Sequence, residues 1–492
     1  MSLEPLHPAG RIERVLVLGS SAPAALLPPD SERVLMPGAD ARDAVTPPEA
    51  ERARAGADLA VTPPEAERAG IDLALIAPSP AEARSRGWLE RAAGDGAAAL
   101  APGGFVYALV PRGRRAAMRR RLRAAGLAPA LAVAQLPDAA APRQLVPLRR
   151  APWRYALRSQ IEQRPWARRA LLGLGSGALA AELLPSVGLL ARQPADVGGA
   201  WVEQLAPDAR PVADLVVTTS WRGPSGPLVV TCFAPGEPEP WAVAKLAAGA
   251  AAEADALARL GDAGGARVPR LLGRGIAGAR PALLETVVEG RSAATLLARE
   301  PGRLAHVTEE LAGWLERWNR ATVATAPAAA RLDAELLSPA AELATELPEG
   351  YAGWLAERTA ALAGAELPLV ARHNDLTMWN VRLDGADRLG ILDWADAEEA
   401  GLPLTDLIYA GADAAAACDG YRDRVAAGRR SLAELERPRE RLRQALGLSP
   451  EAAELCEHAC WLRHARNERR AGGDGQFLEL LRWVAQRALG AM

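Results

Sequence analysis

The segment His373-Asn374-Asp375-Leu376-Thr377-Met378-Trp379-Asn380, followed thirteen residues after Asn380 by Asp393-Trp394, constrains this chain more than any other feature. Residues 367–372 (Leu-Pro-Leu-Val-Ala-Arg) form a short apolar run that reads as a strand entering the segment, and Leu389-Gly390-Ile391-Leu392 reads as a second strand ending at Asp393. Two hairpin-like strands would aim Asp375, Asn380 and Asp393 into one cleft. That trio suits phosphoryl transfer, in which one carboxylate orients a hydroxyl and takes its proton. A second carboxylate and an amide oxygen then hold magnesium on the phosphates.

The same residues carry a family resemblance. His-x-Asp-x-x-x-x-Asn, then Leu392-Asp393-Trp394, then Gly401-Leu402-Pro403-Leu404-Thr405-Asp406-Leu407, resembles the aminoglycoside phosphotransferase and choline kinase group of small-molecule kinases, similar in fold to protein kinases. Protein kinases proper fit less well, because the second strand ends in Asp-Trp where they have Asp-Phe-Gly, and no Ala-Pro-Glu follows. The resemblance implies a bilobal fold with a small antiparallel-sheet lobe over residues 206–290 and a large helical lobe over 291–492. It implies that Asp375 is the catalytic base, that Asn380 and Asp393 hold Mg2+, and that His373 braces the loop. Asp406 would steady the loop through hydrogen bonds, with a helix N-cap beside Thr405 as the other reading. ATP is the implied donor, and a small molecule bearing a hydroxyl is the implied acceptor.

The smaller lobe can be traced upstream. Leu215–Ser220 and Pro227–Phe233 read as two strands joined by the Gly- and Pro-rich turn Trp221-Arg222-Gly223-Pro224-Ser225-Gly226. That turn is either a phosphate-covering loop or an ordinary hairpin, since it lacks a full G-x-G-x-x-G. Trp241-Ala242-Val243-Ala244-Lys245 is more telling, because a lysine closing an apolar strand needs an anion beside it. We therefore assign Lys245 to phosphate. Glu253, on the helix that follows, is the expected partner of Lys245, with Asp255 as the rival and a solvated glutamate as the bland alternative. Residues 268–272 and 281–288 read as further strands, and 285–290 as the crossing that would meet adenine through its backbone. Amphipathic patterns near 292–300, 303–322, 328–346 and 350–364 make the larger lobe helical.

Length and composition bound the rest. At 492 residues the chain exceeds one ordinary core. Lys plus Arg (58) nearly balances Asp plus Glu (60), which argues against a nucleic-acid partner. Four cysteines are too few for a disulfide framework, and with an N-terminus unlike a signal peptide they point to a cytoplasmic protein. The richness in Ala, Arg and Pro resembles that of high-GC bacteria. Residues 170–191 are largely apolar but contain Glu182, Pro185 and four glycines, so a packed helix-turn is expected there and not a membrane span.

Before residue 200 the pattern changes. Arg14–Gly19, Ile71–Ile76 and Phe105–Val110 read as buried strands, with helices at 81–100 and 112–126, giving an α/β Rossmann-like domain over 1–135 and a connector over 136–205. The run from 98 to 110 resembles the late part of S-adenosylmethionine-dependent methyltransferases. The chain after Gly19 (Ser20-Ser21-Ala22-Pro23) lacks the glycines that let a backbone approach a nucleotide, so a degenerate domain is expected. Val-Thr-Pro-Pro-Glu-Ala-Glu-Arg-Ala occurs twice, at 45–53 and 61–69, as a loop expansion. Clusters such as Pro152-Trp153-Arg154-Tyr155 and Pro165-Trp166-Ala167-Arg168-Arg169 are expected to pack between domains.

Two clusters remain to be read, and the resemblance implies a function. Cys456, Cys460 and His464 fall at i, i+4, i+8 with His458 nearby, but ligands on successive helical turns lie about 5.4 Å apart along the axis and cannot converge on one zinc, so buried core residues are expected. Asp396, Glu398 and Glu399 would either meet a cationic acceptor or form an acidic surface loop. The function expected is an ATP- and Mg-dependent small-molecule kinase acting on an aminoglycoside-, choline- or sugar-like hydroxyl. The alternative is a catalytically silent, kinase-like scaffold fused to the methyltransferase-like domain.

Overall fold

A computed structural model describes the chain except for residues 1–2, 4–5, 7–11, 19–25, 27–30, 37–69, 129–130, 137–141, 164–183, 193–199, 220–225, 262–264 and 491–492. The stretch after Gly19, both copies of the duplication, the Pro165 cluster, residues 193–199 of the expected connector and most of the Trp221–Gly226 turn lie outside the described residues. The chain divides into two compact units, Met1–Ala251 with Leu271–Val287, and Ala252–Arg270 with Val288–Met492. This division does not follow sequence order. It takes Glu253 into the second unit while Lys245 stays in the first.

Twelve described strands of the first unit form one continuous sheet, where the sequence led us to expect two separate ones. They are β1 (Arg14–Leu18), β2 (Glu32–Met36), β3 (Ile71–Ile76), β4 (Leu100–Pro111), β5 (Leu131–Leu136), β6 (Gln144–Pro147), β7 (Ser186–Arg192), β8 (Asp214–Thr219), β9 (Leu228–Phe233), β10 (Ala242–Leu246), β11 (Leu271–Ala277) and β12 (Arg280–Thr286). Their order is β11-β12-β10-β9-β8-β6-β5-β7-β4-β3-β1-β2. The β2-β1-β3-β4 end is parallel, whereas the ladders from β4–β7 to β11–β12 are antiparallel. The join is made by β6 against β8, so the segment expected as a connector supplies β6 and β7. Residues 184–192, the end of the apolar stretch near 170–191, include β7 and no helix. Among the described residues no helix is long and apolar enough to cross a membrane.

Alternation explains why the parallel strands are apolar along their whole length. Val15, Val17, Leu73, Leu75, Phe105 and Tyr107 pack into one core, while Leu16, Leu18, Ala74, Ile76, Val106 and Ala108 pack into another. Successive strand residues face opposite sides, so a sheet covered on both faces reads as an unbroken hydrophobic run. Trp88 and Leu89 of the helix Arg86–Ala99 cover one face, and Trp201 and Val202 of the helix Ala200–Leu205 cover the other.

The second unit is mainly helical and holds two small sheets, β13 (Arg291–Ser292) with β16 (Val381–Leu383) and β17 (Leu389–Ile391), and β14 (Ala324–Pro327) with β15 (Glu366–Arg372) and β18 (Glu398–Gly401). Here the expectation of a hairpin is corrected. The strand entering the 373–380 segment is β15 and the strand before Asp393 is β17, and they belong to different sheets. Short β16, three residues long, is the true antiparallel partner of β17. Its brevity left no periodicity to read. The helix Thr405–Cys418 runs through the middle of this unit, buried from Thr405 to Ala417, and its alanines allow close approach on every side.

Candidate active site

Strand β15 delivers His373, Asn374 and Asp375 into a loop that two acids of the Thr405–Cys418 helix hold from beneath. The Asp406 carboxylate accepts the backbone N–H of His373 (2.7 Å) and of Asn374 (2.9 Å). Seven residues on, and so on the same helical face, Asp413 accepts the N–H of Met378 at 2.7 Å. Asp406 lies inside the first turn, after a cap position at Leu404, and its oxygens serve the loop. Each of these acids is buried, and a buried carboxylate is tolerable only where donors surround it.

Within the loop, the Asn380 side-chain amide donates to the Asp375 carboxylate and to the Asp375 carbonyl, both at 2.9 Å. With its N–H groups so engaged, the Asn380 carbonyl oxygen is the part of that side chain suited to a hard cation. His373 ties the loop to the neighbouring strand end: Nε2 lies 2.8 Å from the Leu392 carbonyl, and Nδ1 accepts the Asp375 N–H at 3.4 Å. Asn374 has φ +67° and Asp393 φ +64°, left-handed conformations that non-glycine residues adopt when surroundings force them.

Glu253 supports this site through the backbone. Its carboxylate accepts the backbone N–H of Trp394 at 3.0 Å, fixing the peptide that follows Asp393. The Trp394 indole is buried, donates to the Ile391 carbonyl at 3.2 Å and packs edge-on against Trp318 and His373. Lys245, in the first unit, lies 3.5 Å from Glu285 Oε1, an acid the sequence analysis did not single out as its partner.

Burial pushes the Asp375 carboxyl up to about 7, and the nearby Asp393 and Asp396 charges push the same way, while the Asn380 hydrogen bond pulls it down. A general base near neutrality is matched to proton transfer at working pH. The Asp393 carboxylate and the Asn380 amide oxygen are oxygen donors, the type a hard cation takes. Magnesium is commonly held by one or two carboxylates with waters and substrate phosphates completing the shell. Among the described residues no group of three or more His, Cys, Asp or Glu is arranged to hold a metal by itself.

The remaining candidates have other partners. Glu398 accepts from Arg372 and Asn374 and pairs with Arg463. Burial pushes its carboxyl up, but the Arg372 guanidinium outweighs this and holds it low. Glu399 pairs with Arg259 at the surface. Cys456 and Cys460 are buried, His458 bonds Tyr351 Oη at 2.8 Å, and His464 stacks on Tyr409. Burial depresses the imidazoles of His458 and His464 to about 4 and about 3. Sequence reasoning missed Asp413. The signal was there: a single acid in an alanine run, two helical turns beyond Asp406.

Residues 201–444 match the phosphotransferase enzyme family. The chain is also similar to solved structures of aminoglycoside phosphotransferases. APH(3'')-Id from Streptomyces rimosus shares 20% identity over 50% of this chain and 91% of its own, with a TM-score of 0.32. A thermostable mutant of APH(4)-Ia in its apo form shares 14% over 57% and 95%, with a TM-score of 0.36. ADP-bound APH(2'')-Ib shares 12% over 56% and 93%, with a TM-score of 0.35. No curated protein matches the chain.

Proposed function

We propose that the C-terminal part of this chain transfers the γ-phosphoryl group of ATP to a hydroxyl of a small molecule, with Mg2+. The family match over residues 201–444 supports a small-molecule phosphotransferase, and the donor, the metal and the acceptor are our reading. One observation carries it: Asp375 is held by the Asn380 amide, on a loop fixed by two buried acids, with its carboxyl near neutrality.

In this reading Asp375 orients the acceptor hydroxyl and receives its proton late in the transfer. Asn380 and Asp393 hold the metal, which when bound neutralises charge on the phosphate oxygens. Glu253 keeps Asp393 in place through the Trp394 amide. His373 and Asp406 brace the loop without touching substrate. Lys245 is assigned to the phosphates on its position at the end of an apolar strand beside a buried glutamate. The N-terminal part we read as a methyltransferase-like domain without turnover, a reading that saturable S-adenosylmethionine binding by calorimetry would count against.

The test is magnesium-dependent ATP consumption by the full chain and by Asp375→Asn, across aminoglycosides, amino alcohols, sugars and nucleosides. Acceptor-stimulated turnover that falls at least about a hundredfold in the variant is expected, the lower end of what a positioned base contributes. ATP binding without turnover on any acceptor would instead favour a silent scaffold.

A further inference from the structure

Residues 96–137 hold seven arginines and no aspartate, glutamate or lysine, in a chain whose acids and bases nearly balance. All seven lie between Arg112 and Arg123, in the turn before the helix Arg115–Ala124 and along it. Arg115, Met118 and Leu122 of that helix are buried, Met118 and Leu122 in the core that covers one face of the sheet. Helical spacing puts Arg119, Arg120 and Arg123 on the opposite face, and all three are exposed, as are Arg112 and Arg114.

Helix stability does not account for this pattern. Arg114, at the N-cap, makes no capping hydrogen bond, and the first turn holds no acid. Cations there oppose the positive end of the helix. Arg119 and Arg123 stand at i,i+4, and Arg120 and Arg123 at i,i+3, where like charges repel. Only Arg121 and Arg123, in the last turn, sit where the helix dipole favours a cation. Among the described residues no carboxylate pairs with Arg112, Arg114, Arg119, Arg120 or Arg123. The helix packed alongside, Arg86–Ala99, carries Glu90 and Asp95, and neither forms an ion pair with them. Exposed arginines elsewhere do find acids: Arg158 holds Glu239, Arg320 holds Glu316 and Arg470 holds Glu342. A face that repels itself, with no local gain to offset the repulsion, calls for an anion from outside the chain.

We infer that the solvent face of the helix Arg115–Ala124, with the turn before it, binds the phosphate backbone of duplex nucleic acid without reading its sequence. This is independent of the phosphotransferase reading. A duplex carries one negative charge per about 1.7 Å of its axis, and a helix of ten residues is about 15 Å long, so several phosphates lie within its reach. The guanidinium fork matches phosphate oxygens. Near-balance of charge over the whole chain argued against such a partner, but it averages away a stretch of one sign. A membrane surface would be met by apolar or aromatic side chains beside the cations. A single strand would need exposed rings on which to stack its bases. Neither is present: the large apolar side chains exposed among the described residues are Ile276, Val323 and Trp379, none of them on this helix. The rest of the face is Ala116 and Ala124, which offer no hydrogen bond to a base edge or a 2′-hydroxyl.

The test is fluorescence anisotropy of a labelled DNA duplex of about 20 base pairs, titrated with the full chain to about 100 μM at salt from about 50 to 200 mM. The variants are R119Q/R120Q/R123Q and, as a control that loses the same charge, R158Q/R320Q/R470Q. Glutamine keeps helix propensity and the exposed positions spare the core, which thermal melts of both variants check. The expected result is a log–log salt slope of about −4 to −5, one phosphate for each of the five exposed arginines. In R119Q/R120Q/R123Q that slope should shrink by about 3 and affinity at the lowest salt should drop at least about tenfold, while the control changes neither. Should the triple variant fail to fold, R120Q alone carries the test, with the slope reduced by about 1. An RNA duplex should compete with the DNA, since contact with phosphates alone does not depend on the 2′-hydroxyl. The proposal is overturned by no duplex binding at the lowest salt, by a slope that ignores these substitutions, or by an equal loss in the control. Failure of the RNA duplex to compete, or tighter binding to a single strand or to phosphatidylserine-containing phosphatidylcholine vesicles, overturns it as well.

Discussion

Replacing Asp375 with asparagine should stabilise the protein in a pH-dependent way, because the chemistry proposed for this carboxyl requires a site that resists its charge. Its pKa is about 7 in the fold against an ordinary 3.8. At pH 5 the native state therefore binds nearly one proton more than the unfolded chain at this position, and at pH 8 neither state binds it. A raised carboxyl contributes stability when protonated and loses it as pH rises through the folded value. Integrating between those limits gives a loss of ~2–3 kcal/mol from pH 5 to pH 8, reduced to about 1–2 kcal/mol for the water that reaches a partly exposed group. Asparagine has no charge to lose and keeps a similar shape. The stability of Asp375→Asn relative to the unaltered protein should therefore grow by about 1–2 kcal/mol over that range. Urea unfolding of both proteins at pH 5 and pH 8 in the presence of a metal chelator, followed by tryptophan fluorescence, measures this as a shift in midpoint. Other titrating groups are common to both proteins and cancel. A difference flat across pH, or one that reverses, would refute the claim that burial and neighbouring acids oppose ionisation of Asp375.

Two other substitutions probe the supports of the site. Glu253→Gln keeps an oxygen for the Trp394 amide but removes the charge that strengthens that bond, so kcat and magnesium affinity should both fall, by about tenfold for ~1.4 kcal/mol, with little change in ATP-free stability; magnesium titrations of turnover decide it. Asp406→Asn can accept only one of the two amides it now serves and turns an N–H toward the other, costing about 1–3 kcal/mol, visible in thermal melts and accompanied by loss of turnover.

What the sequence revealed and what it hid divide along a physical line. Local arrangement was legible: Asp375 and Asn380 stood out by residue type and spacing, and the structure brings the Asn380 amide against the Asp375 carboxylate. Strands β1, β3, β8, β9 and β10 were legible because apolar runs bounded by turn residues have few other uses. Partnership across the chain was not. Glu253 was read as a helix residue, and nothing in its neighbourhood in sequence announces that it accepts an amide 141 residues away. The joining of β6 to β8, which merges two expected sheets into one, depends on edges meeting in space and leaves no periodic trace.

The loop around Asp375 shows why so many acids collect near a site proposed to handle phosphate. Glu253, Asp406 and Asp413 are all buried, and each accepts backbone N–H groups at the ends of the segments that carry Asp375 and Asp393. A carboxylate serves this purpose better than a neutral side chain, because both its oxygens accept strongly and neither presents a competing donor. The cost is negative charge under the site, which helps keep Asp375 near neutrality, since Asp413 adds to the push from Asp393 and Asp396. Rigidity of the loop and basicity of its aspartate thus come from one arrangement. A kinase-like site needs both, because phosphoryl transfer leaves the protein little covalent chemistry and depends on position and charge. Removing Asp413 should therefore move geometry and proton affinity together, and measurements of rate alone cannot separate the two; the pH dependence of stability can.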